Sequence, residues 1–317
     1  MNDTLKFIAY FLAAFLCFSL VIPKTKEVVQ KPIVENIEHD VPIIEEPKIE
    51  SPDIKQSVDN YFNYNNIVKE LKYWNEQAPE LTEVKTYGKS TRGSDLCLIK
   101  INNKHISKNK PKVLITACIH GNEVPATAIT MEFFKQLLNS YGEEDRITKL
   151  IDEREIWYVP VVSPDSYPNS RYVDGVDPNR NFPGINQGRS PIPPIKALMD
   201  LYNSEKFDAV ASSHTNTRQY LIPWGCSYEK IEHEKEYKEI IGEMARMSNY
   251  ELCTPKEIYR RPIYGAELDW YHTQGALSIV IEFGPHQRIP SKSETDNELN
   301  RTKESLINFI DKAPIAF

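Results

Sequence analysis

The stretch ITACIHGNEVPATA, residues 115–128, is decisive for the predicted fold, because an apolar run leads directly into a polar turn and then into a helix-like segment. His120 and Glu123 lie three residues apart in this turn, and Gly121 lets the backbone bend closely there. Imidazole nitrogen and carboxylate oxygen are ligands that zinc prefers. Chance pairs of this spacing are common, so the stretch indicates a metal site only if a third ligand comes from elsewhere.

The third candidate ligand is His214, in SSHTNT (residues 212–217), at the end of the apolar run FDAVASS. A lone histidine at a strand end is more often a hydrogen-bonded structural residue. Because His120 follows an apolar run of its own, the ligand interpretation is favoured here. A catalytic zinc keeps three protein ligands and one open position. We therefore predict one zinc ion per chain, although such a site also accepts other divalent ions.

A further carboxylate, Glu282, lies inside the last apolar run, LSIVIEFG (residues 277–284). Burying a carboxylate without a partner is costly. One explanation is a strand residue paired with an arginine. The other is a general base that takes a proton from an attacking water beside the metal.

The segment NSRYVDGVDPNRNFPG, residues 169–184, is dense in polar recognition groups. It supplies Arg171, Asn179 and Arg180 as candidates for holding oxyanions, since arginine binds a carboxylate through two parallel hydrogen bonds. The segment is equally typical of an ordinary surface loop, because Asp-Pro-Asn and Pro-Gly are turn formers.

Strand-like and helix-like runs alternate from about residue 58 onward. Apolar runs typical of strands cover 82–88, 95–101, 112–119, 155–162, 207–213 and 277–283, and helical spacing covers 64–76, 124–140, 233–249 and 294–312. This alternation predicts a single α/β domain with a mixed, mostly parallel sheet flanked by helices. Sites in such sheets form beyond the carboxyl ends of the strands, where His120, His214 and Glu282 all lie.

The N-terminus differs in character from the rest of the chain. Residues 7–23, FIAYFLAAFLCFSLVIP, are almost entirely apolar, which predicts a signal peptide or membrane anchor over residues 1–23. The cleavage pattern is poor, so an uncleaved anchor in contact with the membrane is favoured, and the protein is expected to be anchored or exported. Residues 24–57 contain four prolines and eight acidic residues and are predicted to be a disordered linker. The folded domain is then 58–317.

Charge and cysteine content exclude some classes of protein. A net charge of −7 argues against a nucleic-acid binder, which needs a basic face. No cysteine pair has the CxxC spacing of a cysteine zinc site. With Cys17 set aside, four cysteines remain: Cys97, Cys118, Cys226 and Cys253. An even number is compatible with disulfides, but the sequence leaves their pairing open.

Eight short motifs resemble, in order, those of the zinc metallocarboxypeptidases, the carboxypeptidase A/B-like family that includes bacterial cell-wall peptide carboxypeptidases. They extend over some 260 residues: YGKSTRG (87–93), HGNE (120–123), VVSPD (161–165), GVDPNRNFP (175–183), SSH (212–214), YLIPWG (220–225), GAELDW (265–270) and IEFG (281–284). The resemblance implies a catalytic domain at 58–317 that hydrolyses the last peptide bond of a substrate with a free C-terminal carboxylate.

The same resemblance assigns zinc binding to His120, Glu123 and His214, and activation of the attacking water to Glu282. These roles agree with those inferred above from the residue types alone.

On the substrate side, Arg171 falls where the family keeps an arginine that polarises the scissile carbonyl and stabilises its oxyanion. Asn179 and Arg180 match the pair that grips the substrate's terminal carboxylate.

Two positions depart from the family pattern. The family usually has a mobile tyrosine four residues before the glycine of GAELDW, but Arg261 stands there, so Tyr259 is favoured as the capping residue over Tyr264. Leu268 matches the position that selects the terminal side chain and suggests an apolar preference. Arg260 and Arg261 nearby instead suggest acidic or peptidoglycan-derived substrates.

Three alternatives stay open. One is a peptidase of the same fold that cleaves cell-wall peptides, including γ-D-glutamyl linkages. Another is an aspartoacylase-like deacylase, which IEFGP (281–285) resembles, although YGKSTRG and GAELDW resemble the peptidases. The last is an inactive carboxylate-binding module, whose usual sign is a missing ligand or base, and none is missing.

Overall fold

The computed structural model describes residues 52–54, 61–184, 190–227, 229–284 and 289–314. The predicted anchor (1–23) and nearly all of the predicted linker (24–57) lie outside these residues, so both stay predictions. None of the helices in the described residues combines the length and the apolar composition that spanning a bilayer requires.

Within the described ranges, eight strands form one sheet. They are β1 (Thr82–Lys89), β2 (Asp95–Ile101), β3 (Lys112–Ala117), β4 (Glu155–Val159), β5 (Ala209–Thr215), β6 (Gln219–Leu221), β7 (Glu251–Cys253) and β8 (Leu277–Phe283). Their order is β1-β2-β4-β3-β5-β8-β6-β7. The central strands β4, β3, β5 and β8 run parallel, whereas β1, β2 and β6 pair antiparallel with their neighbours β2, β4 and β8. The predicted mixed α/β sheet is confirmed.

Helices cover the sheet: α1 (Tyr64–Gln77), α2 (Val124–Asn139), α3 (Asp145–Glu153), α4 (Pro193–Glu205), α5 (Glu234–Ser248), α6 (Pro255–Tyr259), α7 (Glu267–Thr273) and α8 (Lys292–Lys312). Local sequence fixes several of their starts. Ser291 and Glu294 form a reciprocal capping box at the start of α8. A proline stands in the first turn of α2, where its missing N–H leaves no unmet bond.

Successive side chains of β3 divide the apolar core between the two faces of the sheet. Val113 and Ile115 pack in one cluster with residues of α1, α2, α5 and α8, while Leu114 packs in another with residues of α4 and α7. This division follows from the alternation of side chains along a strand. Because helices cover both faces, the sheet is accessible at the ends of its strands.

Several elements differ from the sequence prediction. The strand expected at 155–162 ends at Val159, and the strand expected at 207–213 runs on to Thr215, so His214 lies within it. Strands β6 and β7 were not predicted because three residues each are too few to show a period. Helix α7 was not predicted because six of its seven residues are buried, which leaves no polar face.

Two observations concern the linker and the cysteines. Ile54, inside the predicted linker, is buried, and its backbone exchanges hydrogen bonds with the side chain of Asn139 on α2.

Cys97, Cys118, Cys226 and Cys253 are all free thiols.

Candidate active site

The three predicted metal ligands converge at the carboxyl ends of β3 and β5. Nδ1 of His120 lies 2.8 Å from Oε1 of Glu123, and Nδ1 of His214 lies 2.8 Å from Oε2 of the same carboxylate. All three ligand atoms lie within 4.8 Å of one another. The structure therefore brings together the ligand set that was predicted from two distant segments.

The turn between β3 and α2 has little space around it. A Cβ atom on Gly121 would come within 2.5 Å of the backbone carbon of Ser166, so only glycine fits this close approach. Cys118 has φ 47° where the strand turns, and its thiol accepts a hydrogen bond from Oγ1 of Thr127 on α2. These contacts set the direction in which His120 leaves the strand.

The donor set fits a zinc ion. Oε2 of Glu123 is buried and has no hydrogen bond, although Nδ1 of His214 lies only 2.8 Å away. Two imidazole nitrogens and a carboxylate therefore converge on one position, and one carboxylate oxygen has no hydrogen bond there. This arrangement suits a tetrahedral cation with a fourth, open position.

The charges of the ligands perturb one another strongly. Burial alone would raise the pKa of Glu123, but His214 and His120 outweigh burial and lower it to about 2. Burial alone would lower the pKa of His214, yet Glu123 and Glu267 raise it well above its ordinary value. The site thus favours a positive charge beside these carboxylates, which a divalent cation also supplies.

Each histidine has a second carboxylate on its other ring nitrogen. Nε2 of His120 lies 3.1 Å from Oδ1 of Asp177, and Nε2 of His214 lies 2.8 Å from Oε1 of Glu267. Carboxylates in such positions fix which nitrogen of a ligating histidine carries the proton. Sequence reasoning missed both roles, although Asp177 and Glu267 lie inside the quoted motifs GVDPNRNFP and GAELDW.

Glu282 lies opposite His214 in the pairing of β5 with β8, which places it beside the metal ligands. Burial, together with the nearby charge of Glu123, raises its pKa to about 7 against the lowering effect of His214. No salt bridge joins Glu282 to an arginine within the described residues. The observed position suits a proton acceptor better than the ion-pair alternative.

A buried carboxylate on α8 holds the end of the strand that carries Glu282. Glu298 accepts a hydrogen bond from the backbone N–H of Gly284, two residues beyond Glu282, and pairs with Arg218 at 2.9 Å. Tyr250 also donates to it. Burial would raise the pKa of Glu298, but Arg218 and Tyr250 outweigh burial and lower it. The strand end is therefore fixed by a charged network.

Arg171 is held in place by Asp177. Its Nε and Nη2 atoms each donate to Oδ2 of Asp177 at 3.0 Å, while Nη1 lies 3.8 Å from Oε1 of Glu123. The guanidinium therefore faces the metal ligands at short range.

Asn179 and Arg180 lie in a short 3-10 turn, Pro178–Arg180, which Asp177 caps by accepting the N–H of Asn179. Asn179 is buried, and Oδ1 of this residue accepts the backbone N–H of Glu267 at 2.9 Å. Burial lowers the pKa of Arg180, while Asp177 opposes that effect. The segment is thus not an ordinary surface loop.

One cavity, called the active-site cavity below, is lined by all nine predicted site residues. Further residues of β5, β6, β8, α6 and the adjoining loops complete the lining, which comprises His120, Glu123, Arg171, Asn179, Arg180, His214, Thr215, Asn216, Thr217, Gln219, Leu221, Pro255, Ile258, Tyr259, Ile263, Ala266, Leu268, Val280 and Glu282.

The two less certain substrate residues also reach this cavity. Tyr259 ends α6, is 48% exposed and lines the cavity, whereas Tyr264 is not among the lining residues. Leu268 is buried in a small apolar cluster with Leu221 and Val280. Their roles stay predictions.

Comparison with known proteins identifies the family of this chain. The sequence profile of the zinc carboxypeptidase family, peptidase M14, matches residues 67–305. The chain belongs to this family. The resemblance inferred from the motifs is therefore confirmed.

Curated relatives include a "Zinc carboxypeptidase" of Saccharothrix mutabilis subsp. capreolus, 31% identical over 155 residues, covering 43% of this chain and 36% of that protein. Carboxypeptidase D of Drosophila melanogaster is 25% identical, covering 80% of this chain and 22% of its own length. Human carboxypeptidase B is 23% identical, covering 68% of this chain and 61% of its own length. The chain thus spans less than two thirds of each of these relatives.

Solved structures share the fold. Bovine thrombin-activatable fibrinolysis inhibitor, in complex with tick carboxypeptidase inhibitor, has a TM-score of 0.70 at 18% identity, covering 80% of this chain and 97% of that one. A metallo-carboxypeptidase of Burkholderia cenocepacia has a TM-score of 0.63 at 17% identity, covering 79% of this chain and 69% of that one. At these identities the likeness shows the fold alone.

Proposed function

We propose that the chain is a zinc-dependent metallocarboxypeptidase that hydrolyses the C-terminal peptide bond of a peptide. The observation that carries this proposal is the convergence of His120, Glu123 and His214 with Glu282 and two arginines in one cavity. One zinc ion per chain would be held by the first three residues. It would supply a Lewis acid and make water a stronger acid at that position.

The remaining residues divide the work of hydrolysis. Glu282, with its raised pKa, accepts the proton of the attacking water and returns it to the leaving amine. Arg171, oriented by Asp177, donates to the oxyanion that develops on the scissile carbonyl. Asn179 and Arg180 hold the terminal carboxylate, and Tyr259 closes over it.

We propose an apolar terminal side chain for the preferred substrate. The wall formed by Leu221, Leu268 and Val280 has no charged group, and a charged side chain would lose its hydration there. Arg260 and Arg261, which suggested acidic substrates, are exposed and do not line the cavity. A cell-wall peptide therefore has less support than an ordinary peptide with an aliphatic or aromatic end.

The test uses the chain with zinc, with a chelator, and as Glu282→Gln. A panel of N-blocked peptides that differ in the terminal residue would include one γ-D-glutamyl-diaminopimelate peptide and one N-acyl amino acid. We expect release of apolar terminal residues that needs both metal and Glu282, with a loss of about 10²–10⁴-fold in the variant. Cleavage of the N-acyl amino acid alone would support the deacylase. Zinc binding without any cleavage would support the binding module.

We also propose that residues 1–23 export or anchor the protein and that the N-terminal segment contacts the membrane. Support comes from the apolar run at 7–23, which lies outside the described residues. Cell fractionation of the full chain and of a chain without residues 1–23 tests this. Equal distribution of the two forms would contradict it.

A further inference from the structure

Glu267, the first residue of α7, occupies an unusual position for a carboxylate. Its side chain is fully buried, and Oε1 lies 2.8 Å from Nε2 of His214. Its backbone N–H donates to Oδ1 of Asn179 at 2.9 Å. Glu267 is therefore held beside the ring nitrogen of His214 that faces away from Glu123, by one hydrogen bond from its side chain and one from its main chain.

Within the described residues, no lysine or arginine forms a salt bridge with Glu267; the ion-pair partner is His214. Its second oxygen, Oε2, is buried without a hydrogen bond. A buried carboxylate with so few partners is costly unless a nearby positive charge offsets it. His214 is neutral when it binds a metal through Nδ1, so the offsetting charge must come from the ion beyond the ring.

The corresponding carboxylate on the other histidine is in a different situation. Asp177 contacts His120 but also receives two hydrogen bonds from Arg171, so an arginine already offsets its charge. Glu267 has no such arginine among the described residues, and its negative charge acts on the metal through the His214 ring alone.

We infer that Glu267 is a positioning residue of the metal centre. It accepts the Nε2–H of His214, which fixes the tautomer that leaves the Nδ1 lone pair for the ion. Its charge also makes the imidazole a stronger ligand. The inference rests on the proposed function in one respect, because it takes the resident ion to be zinc.

The experiment measures zinc affinity of the full chain by competition with a chromophoric chelator. Glu267→Gln keeps an oxygen acceptor and nearly the same volume but removes the charge. We expect zinc to bind about 10–100-fold more weakly, the usual effect of losing such a partner. Cobalt substitution adds a spectroscopic readout, since a reoriented His214 changes the visible absorption bands of the bound Co²⁺.

Glu132→Gln is the matched control. Glu132 is also a buried carboxylate, but it pairs with Lys135 at 2.6 Å, far along α2 from the ligands. This variant is expected to lower the melting temperature while zinc affinity and the Co²⁺ spectrum stay at the wild-type values. A merely structural role for Glu267 would produce the same pattern in Glu267→Gln.

Wild-type zinc affinity in Glu267→Gln would overturn the inference and leave the proposed function intact. Absence of zinc binding in the wild-type chain would overturn both. If Glu267→Gln does not fold, Glu267→Asp takes its place, because it keeps the charge but withdraws the carboxylate by one methylene. Weaker zinc binding by that variant supports the inference, and unchanged binding overturns it.

Discussion

Asp177 connects the predicted metal ligands to Arg171, the arginine proposed to face the scissile carbonyl, and Asp177→Asn tests that connection. One oxygen of the carboxylate contacts His120 at 3.1 Å, and the other receives both Nε and Nη2 of Arg171 at 3.0 Å. An asparagine of the same size has one acceptor oxygen and a donor amide. It can therefore satisfy the histidine or the arginine, but not both.

The expected loss follows from these contacts. A hydrogen bond to a charged group contributes about 1.5–3 kcal/mol. Since about 1.36 kcal/mol is a tenfold change in rate, kcat/KM should fall by roughly 10–100-fold. Complete removal of an oxyanion donor costs about 10²–10³-fold, which sets an upper bound because Arg171 itself remains.

The assay compares initial rates on one peptide for Asp177→Asn and for a control, Asp174→Asn. Asp174 lies in the same segment and also pairs with an arginine, Arg92 at 2.7 Å, but on the surface. Solvent screens exposed ion pairs so that they contribute little, and asparagine tolerates the φ of 47° at this position, so kcat/KM of the control should stay within about fivefold of the wild-type value.

A double-mutant cycle shows whether Asp177 acts through Arg171. If it does, adding Asp177→Asn to Arg171→Ala costs much less than it does in the wild-type chain, because residues in one network are not additive. The reasoning is refuted if Asp177→Asn stays within about fivefold of the wild-type kcat/KM, or if the two losses simply multiply.

Three further predictions concern other parts of the site. The proposed general base Glu282 would work as the ionised carboxylate, and burial raises its pKa to about 7, so kcat/KM should fall as pH falls through this range. A bound cation lowers the midpoint, and an acid limb at or below the ordinary carboxyl pKa of about 4.3 contradicts the assignment. Gly121→Ala should weaken zinc binding and lower the free energy of unfolding by about 1–3 kcal/mol, because its Cβ would overlap Ser166, and unchanged values in a chelator titration and in urea melts count against this. Leu268→Ala should reduce the preference for a large apolar terminal residue over alanine by about 1–3 kcal/mol, read as the ratio of the two kcat/KM values.

The part of the site that the sequence predicted shares one property. His120, His214 and Glu282 each lie at or near the end of an apolar run, and parallel strands bring such ends to one side of a sheet. Residue type and local hydropathy therefore suffice to place these side chains together. Glu123 could be added because it lies one turn from His120.

The part that was missed depends on contacts that no local pattern shows. Glu267 begins a helix with almost no exposed side, so neither a period nor a polar face marks it. Asp177 stands in a run of turn-forming residues, where an aspartate has an ordinary explanation as a cap. Which histidine each carboxylate meets is settled only by how α7 and the turn Pro178–Arg180 pack against the strand ends.

The two carboxylates behind the histidines are also connected to each other. Asp177 accepts the backbone N–H of Asn179, and the side chain of Asn179 accepts the backbone N–H of Glu267. A residue predicted to bind the substrate's terminal carboxylate thus also braces both supports of the metal site. A rise in KM on replacing Asn179 therefore reports substrate binding only if zinc affinity is measured in the same variant, because the substitution also removes the acceptor for the backbone N–H of Glu267, which contacts His214, while the backbone contact to Asp177 remains.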